Sequence, residues 1–100
     1  MSDQFRSTTV TISNQQGLHM RPAYMFAETA GQFESTVELV KDDIRADGKS
    51  VLSLMTLGAT QGSVITLEVN GSDSETALES LANLISSGFP AAAKPSDTAS

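Results

Sequence analysis

The sequence of 100 residues contains no cysteine and no tryptophan, and it has only one histidine. The lack of cysteine excludes disulfide scaffolds, thiolate zinc sites and iron–sulfur clusters. One histidine supplies too few strong ligands for a metal centre, and a chain of this length has no room for a large cofactor beside its core. We therefore expect one small domain with no metal and no cofactor.

Basic residues are also scarce, with six Lys and Arg against twelve Asp and Glu and a net charge of -6. Binding to nucleic acid or to anionic lipid requires a basic surface, so this charge balance argues against both kinds of partner. No segment approaches the roughly 18 apolar residues of a membrane span, and Met1–Arg6 lacks the features of a signal peptide. The expected location is the cytoplasm, with no membrane association.

Hydrophobic periodicity predicts the element order β-α-β-β-α-β-α. The predicted strands are Ser7–Ile12, Ser35–Lys41, Ile44–Ala46 and Val64–Val69. The predicted helices are Met20–Ala30, Val51–Leu57 and a last one between Asp73 and Gly88. This order favours an α+β fold, an open-faced β-sandwich in which three helices cover one face of a four-stranded, mainly antiparallel sheet. We expect residues 1–88 to form this domain and residues 89–100 to be a disordered tail.

Polar residues mark the starts of the last two helices. Ser50 is the expected N-cap of the second helix, which Gly58 ends. Either Ser72 or Asp73 is expected to cap the last helix, and Ser72 with Glu75 has the spacing of a capping box.

The single histidine, His19, stands between a loop that ends in Gly17 and the start of the first predicted helix. At this position the unpaired N–H groups of the first turn and the helix dipole favour anions, phosphate included. Arg21 adds a planar cation suited to phosphate oxygens. Because imidazole is largely neutral near pH 7 and is nucleophilic, the pattern suggests a histidine that accepts a phosphoryl group and passes it on. The ordinary alternative is a surface histidine at a helix end, beside a solvated arginine.

Three segments resemble one known family, in the same order along the chain. Gly17–Ala23 is similar to the phosphoacceptor motif of the HPr family, the histidine-containing phosphocarriers of the phosphoenolpyruvate-dependent phosphotransferase system. Gly48–Gly58 resembles the regulatory segment of that family, and Gln61–Leu67 resembles its last strand. The resemblance runs from about Val10 to about Ser87.

The resemblance implies that His19 is phosphorylated on Nδ1 by enzyme I and delivers the group to enzyme IIA of a sugar transport system. It implies that Arg21 steadies the phosphoryl group and that Ser50 is phosphorylated by an HPr kinase/phosphorylase. Such a protein is a phosphoryl carrier and not an enzyme, because its partner supplies the transfer machinery. The fold of the family is the open-faced sandwich that the element order predicts.

An apolar surface around His19 is the expected docking site for these partners. Its predicted members are Met20, Tyr24, Val51, Leu52 and Met55, with Lys49 beside them. The bland interpretation is that the five apolar side chains belong to the core. A carrier must leave its partners quickly, so we expect small, short-lived interfaces and a monomer.

Two other functions remain open on the sequence. One is an HPr-like protein of a regulatory branch, with no sugar transporter downstream. The other is a module that acts by protein–protein binding under the control of Ser50 phosphorylation, with His19 idle. A hydrolase is the least favoured, because the sequence offers no triad and no paired carboxylates at a defined cleft.

Overall fold

The computed structural model describes residues 4–90, which form four strands and three helices in the predicted order. The strands are β1 (Phe5–Thr11), β2 (Thr36–Lys41), β3 (Ile44–Asp47) and β4 (Val64–Asn70). The helices are α1 (Met20–Ala30), α2 (Val51–Met55) and α3 (Ser74–Ser86). None of the three helices in this part of the chain has the length and the apolar character needed to cross a bilayer.

The sheet has the strand order β1-β4-β2-β3, and all of its pairings are antiparallel. One face is apolar, because the register places Val10 opposite Ile65 and aligns Leu39 with Leu67 and Ala46. The three helices cover this face, and all five of these side chains are buried. The α+β open-faced sandwich expected from the element order is therefore confirmed.

Helix α1 has the predicted bounds and buries one face. That face consists of Pro22, Ala23, Phe26, Ala27 and Ala30. Alanine side chains are short, so the helix lies close to its neighbours, and the fully buried Phe26 fills the remaining volume. The opposite face of the helix remains exposed to solvent.

Several element boundaries differ from the prediction by one or two residues, including the start of β2 and the ends of β3 and β4. Strand β1 spans Phe5–Thr11 and not Ser7–Ile12, because its first residues pair with β4 in the ladder that begins at Phe5 and Asn70. Helix α2 ends at Met55, two residues before the predicted end. Just beyond this end, the Thr56 hydroxyl donates to the Ser53 carbonyl. The predicted N-cap is confirmed, since the Ser50 hydroxyl accepts from the Ser53 amide at 3.2 Å.

Of the two caps expected for α3, Asp73 is the N-cap, so the capping box predicted from Ser72 and Glu75 is wrong; the Asp73 carboxylate makes no capping hydrogen bond to the helix. It accepts from the amides of Glu34 and Ser35 at 2.9 and 3.0 Å and from the Ser35 hydroxyl at 2.6 Å. A Cβ on Gly71, whose φ is +155°, would lie 2.6 Å from that hydroxyl oxygen. The carboxylate thus joins the loop before β2 to the loop before α3, an arrangement that sequence spacing does not reveal.

The residue that follows Gly88 packs against the core, although the predicted domain ends at residue 88. Gly88 has a φ of +81°, and the next residue, Phe89, is 5% exposed and donates its amide to the Leu84 carbonyl. Phe89, which the sequence places in the tail, is therefore packed with the domain. Residues 91–100, the rest of the expected tail, lie outside the described residues.

We predict that Asp73→Asn lowers the melting temperature by several degrees at pH 7. The Ser35 hydroxyl and then the Glu34 amide hold the pKa of the Asp73 carboxyl below its ordinary value of 3.8. Since the folded-state pKa is the lower one, this stabilisation is fully present above the unfolded value and is lost as pH falls through the folded value. Thermal unfolding from pH 7 to pH 2 measures the effect.

Asp43→Asn is the matched control, because Asp43 is exposed in the β2–β3 turn and has no side-chain hydrogen bond within residues 4–90. The control should melt like the wild type at every pH. A difference between Asp73→Asn and wild type that persists unchanged at low pH would contradict this account of the carboxylate.

Candidate functional site

His19 is the N-cap of α1, and its side chain is exposed. Its backbone is extended, with φ -104° and ψ -161°, and its ring makes no capping hydrogen bond. The amides of Met20 and Arg21 have no backbone acceptor in residues 4–90, and Pro22 carries no N–H. No acidic residue occupies the first turn. An accessible imidazole therefore stands beside two free donors at the positive end of a helix dipole.

The loop before His19 is held against the segment that follows α2. The Leu18 amide donates to the Ala59 carbonyl at 3.0 Å, and the Leu18 side chain is buried. Gly17 has a φ of +71°, and a Cβ at this position would collide with the same carbonyl oxygen. Only glycine allows the two loops to approach this closely, which explains on steric grounds why the motif has a glycine at position 17.

The imidazole is oriented by a loop side chain. Its Nε2 lies 2.8 Å from Oε1 of Gln16. An amide oxygen only accepts, so this hydrogen bond requires the proton to be on Nε2. The neutral ring then carries its lone pair on Nδ1, which is the nitrogen that can act as a nucleophile.

A small hollow of about 110 Å³ is lined by residues that flank His19 in the sequence, although His19 itself is not among them. Asn14 and Gln16 of the loop, Arg21 and Met25 of α1, and Phe89 after α3 contribute to its lining. Arg21 is exposed and forms no ion pair with any residue between 4 and 90. Its guanidinium is therefore free of a competing carboxylate in this part of the protein. Sequence reasoning gave no role to Asn14 or Phe89, which meet Arg21 only in the fold.

The predicted docking residues separate into two groups. Met20, Tyr24 and Leu52 are 60%, 55% and 78% exposed, although all three are large. Val51 and Met55 are half-buried and pack against the core, so they line the base of the surface and do not project from it. The three exposed side chains lie on α1 and α2, which pack beside each other.

The segment before α2 is held in place by hydrogen bonds. The ammonium group of Lys49 donates to the Phe33 carbonyl at 2.8 Å. The backbone amide of Lys49 donates to the Asp47 carboxylate at 2.9 Å. Ser50 follows as a half-buried N-cap whose hydroxyl is already an acceptor. Lys49 is thus anchored to the loop after α1, while Ser50 has a structural role whether or not it is modified.

Comparison with known proteins identifies a family and several relatives of this chain. The family model described as "PTS HPr component phosphorylation site" matches residues 6–87. The phosphocarrier protein HPr of Neisseria meningitidis serogroup A is 43% identical over 81 residues, which cover 81% of this chain and 91% of that protein. The phosphocarrier protein HPr of Treponema pallidum is 37% identical over 81 residues, covering 81% of this chain and 92% of the relative.

Comparison of the fold gives the same family. The crystal structure of HPr-C-His from Thermoanaerobacter tengcongensis has a TM-score of 0.81 and 40% identity, and the match covers 84% of this chain and 94% of that one. A crystal structure of an HPr dimer from the same organism has a TM-score of 0.69 and 41% identity, over 83% and 95% of the two chains. On sequence and on fold, this chain belongs to the HPr family of phosphocarrier proteins.

Proposed function

We propose that this chain accepts a phosphoryl group from enzyme I on Nδ1 of His19 and passes it to an enzyme IIA domain. The observation that carries the proposal is the exposed imidazole whose Nε2 is held by Gln16, which leaves the Nδ1 lone pair available. That lone pair attacks phosphorus, a P–N bond forms, and the bond from phosphorus to the donor breaks with its electron pair. The Nε2 proton stays on the ring, and the second transfer reverses these steps on the acceptor.

The surroundings of His19 suit the group that this reaction creates. Phosphoryl oxygens carry negative charge, and the free amides of Met20 and Arg21 are donors for them at the start of α1. The Arg21 guanidinium, which has no carboxylate partner in residues 4–90, adds a planar cation. The ring becomes cationic on phosphorylation, so its Nε2–H···O hydrogen bond to Gln16 gains strength.

In this role the protein is a covalent intermediate of a phosphotransferase system and not a catalyst, and we propose that it acts as a cytoplasmic monomer. Its partners would cover Met20, Tyr24 and Leu52, which are large, exposed side chains on the two packed helices α1 and α2. A contact limited to a few exposed side chains would allow fast exchange of one partner for another.

The first test is phosphorylation itself. With enzyme I, Mg²⁺ and phosphoenolpyruvate, the wild-type chain should gain one acid-labile phosphoryl group, detected by intact mass, and His19→Ala should gain none. A group that persists in His19→Ala would contradict the assignment of the phosphoacceptor.

Adding an enzyme IIA domain to the phosphorylated chain separates the sugar branch from a regulatory branch. Loss of the group from this chain with its appearance on enzyme IIA is the expected result. A stable phosphorylated chain that an enzyme IIA domain does not discharge would favour the regulatory branch.

The docking surface predicts that Leu52→Glu lowers the rate of transfer from enzyme I by about tenfold or more. The reason is that a charge would replace the most exposed large apolar side chain at the contact. Rapid-quench kinetics with limiting enzyme I measures the change. Val64→Glu is the matched control, because Val64 is 62% exposed in β4, outside the two helices of the docking surface. Equal loss in both variants would remove Leu52 from the interface.

We further propose that a kinase regulates this surface through Ser50, which an HPr kinase/phosphorylase would phosphorylate. A phosphate there would place nearly two negative charges at the start of α2, one residue from the half-buried Val51 and two from Leu52. Partners that cover the apolar surface would have to bury that charge, so the modification would weaken docking more than it weakens the fold.

Ser50→Asp should accordingly reduce the rate of phosphoryl transfer from enzyme I by about tenfold while the protein stays folded. Circular dichroism checks the fold, and transfer kinetics check the function. Ser72→Asp, at an exposed position before α3, supplies the charge-matched control. Wild-type transfer by Ser50→Asp would count against regulation at this residue.

A further inference from the structure

The turn before His19 is closed by two hydrogen bonds between Asn14 and Gly17. The Asn14 carbonyl accepts from the Gly17 amide at 3.2 Å, and the Asn14 Nδ2 donates to the Gly17 carbonyl at 2.8 Å. Residue 14 therefore binds both backbone groups of residue 17, one through its main chain and one through its side chain. A β-turn needs only the first of these bonds, so the second is a contribution of the asparagine side chain.

The Asn14 side chain makes this second bond at a cost. Its Oδ1 is buried and has no hydrogen-bond donor among residues 4–90, and no other buried side-chain oxygen or nitrogen of that range is in this state. An unpartnered buried acceptor is unfavourable. An apolar side chain of similar size would avoid this cost, so the gain from an amide at position 14 comes from its bond to Gly17.

The closed turn carries the residue that binds the His19 ring. Gln15 and Gln16 are the two central residues of the turn, and both are exposed. Oε1 of Gln16 lies 2.8 Å from the His19 Nε2. A glutamine side chain in water has many rotamers, so its bond to an exposed ring is weak unless its backbone is fixed. The two bonds between Asn14 and Gly17 fix that backbone on both sides of Gln16.

We propose that Asn14 is a positioning residue whose side-chain bond to Gly17 holds Gln16 where it accepts the Nε2–H of His19. Among the hydrogen bonds of residues 4–90 none joins Asn14 to the ring, so Asn14 acts through Gln16. Without the Asn14 bond, Gln16 leaves the ring more often, and the neutral ring carries its proton on Nδ1 more often. The consequence for phosphoryl transfer rests on the proposed function of His19, because the phosphorylated, cationic ring would lose part of the same bond.

Asn14→Ala tests the proposal in the unphosphorylated protein, because it removes the side-chain bond and leaves the backbone bond of the turn. In ¹⁵N spectra of the neutral His19 ring, the ratio of the Nε2–H to the Nδ1–H tautomer should fall about 2- to 10-fold, as expected when one hydrogen bond is weakened. Asn14→Leu, which is closer in volume to asparagine, should have the same effect, and circular dichroism checks the fold of both variants. In a Gln16→Ala background, Asn14→Ala should leave the tautomer ratio unchanged. A ratio that neither variant lowers, or that falls equally without Gln16, would overturn the proposal.

Gln61→Ala is the matched control, because it removes a different side-chain bond to the same loop. The Gln61 Nε2 donates to the Ser13 carbonyl at 3.1 Å. Next to Ser13, backbone bonds join Ile12 to Gly62 and Ser63, so the main chain also holds this end of the loop. Gln61→Ala should therefore leave the tautomer ratio unchanged. If it lowered the ratio as much as Asn14→Ala does, anchoring of the loop in general would position Gln16, and the proposal would fail.

With enzyme I, the same variants measure the consequence for phosphoryl transfer. At a fixed ratio of phosphoenolpyruvate to pyruvate, the equilibrium constant for phosphorylation of Asn14→Ala should be about 2- to 10-fold lower than that of the wild type. Gln61→Ala should match the wild type, and an unchanged constant in Asn14→Ala would refute the role of Asn14 in the transfer. If enzyme I phosphorylates neither the variants nor the wild type, the function proposed for His19 fails, while the ring spectra still decide whether Asn14 positions Gln16.

Discussion

The burial of one face of α1 is the constraint on which the site depends. Ala23, Phe26, Ala27 and Ala30 must leave water together, and this fixes the axis of the helix over the sheet. At the start of the helix Met20 and Arg21 are exposed, and so is His19, which precedes them. The exposure of His19 and the formation of the core thus follow from the same packing, because the helix is buried along one face from Pro22 to Ala30 while the residues at its start stay in solvent.

The loop before α1 adds what the helix cannot supply by itself. A helix end offers amides and a dipole, but it does not choose which ring nitrogen carries the proton. That choice comes from Gln16, and the loop that carries it is held by the contact of Gly17 and Leu18 with Ala59. Because these contacts cross from one loop to another, the chemistry of His19 depends on the segment that follows α2.

Features that depend on residues close together in the sequence were predicted correctly, whereas features that depend on distant residues were not. The bounds of α1 were predictable because its apolar period and the helix-compatible Pro22 are local signals, and Ser50 was recognised as a cap for the same reason. The capping box at α3 failed because the Asp73 carboxylate bonds Ser35, 38 residues away. Exposure along α2 was only partly predictable, because the packing of a five-residue helix depends on its neighbours.

The sequence by itself determined the element order, the open-faced sandwich and the motif that contains His19 and Arg21. These features depend on periodicity, caps and motif spacing, which involve residues that are close together in the chain. Tertiary structure alone decided which side chains surround them. Asn14 and Phe89 come from opposite ends of the domain, and they meet Arg21 at one hollow only after the sheet has brought β1 and α3 together. Contacts between residues far apart in the chain depend on how whole elements pack, and no local pattern encodes them.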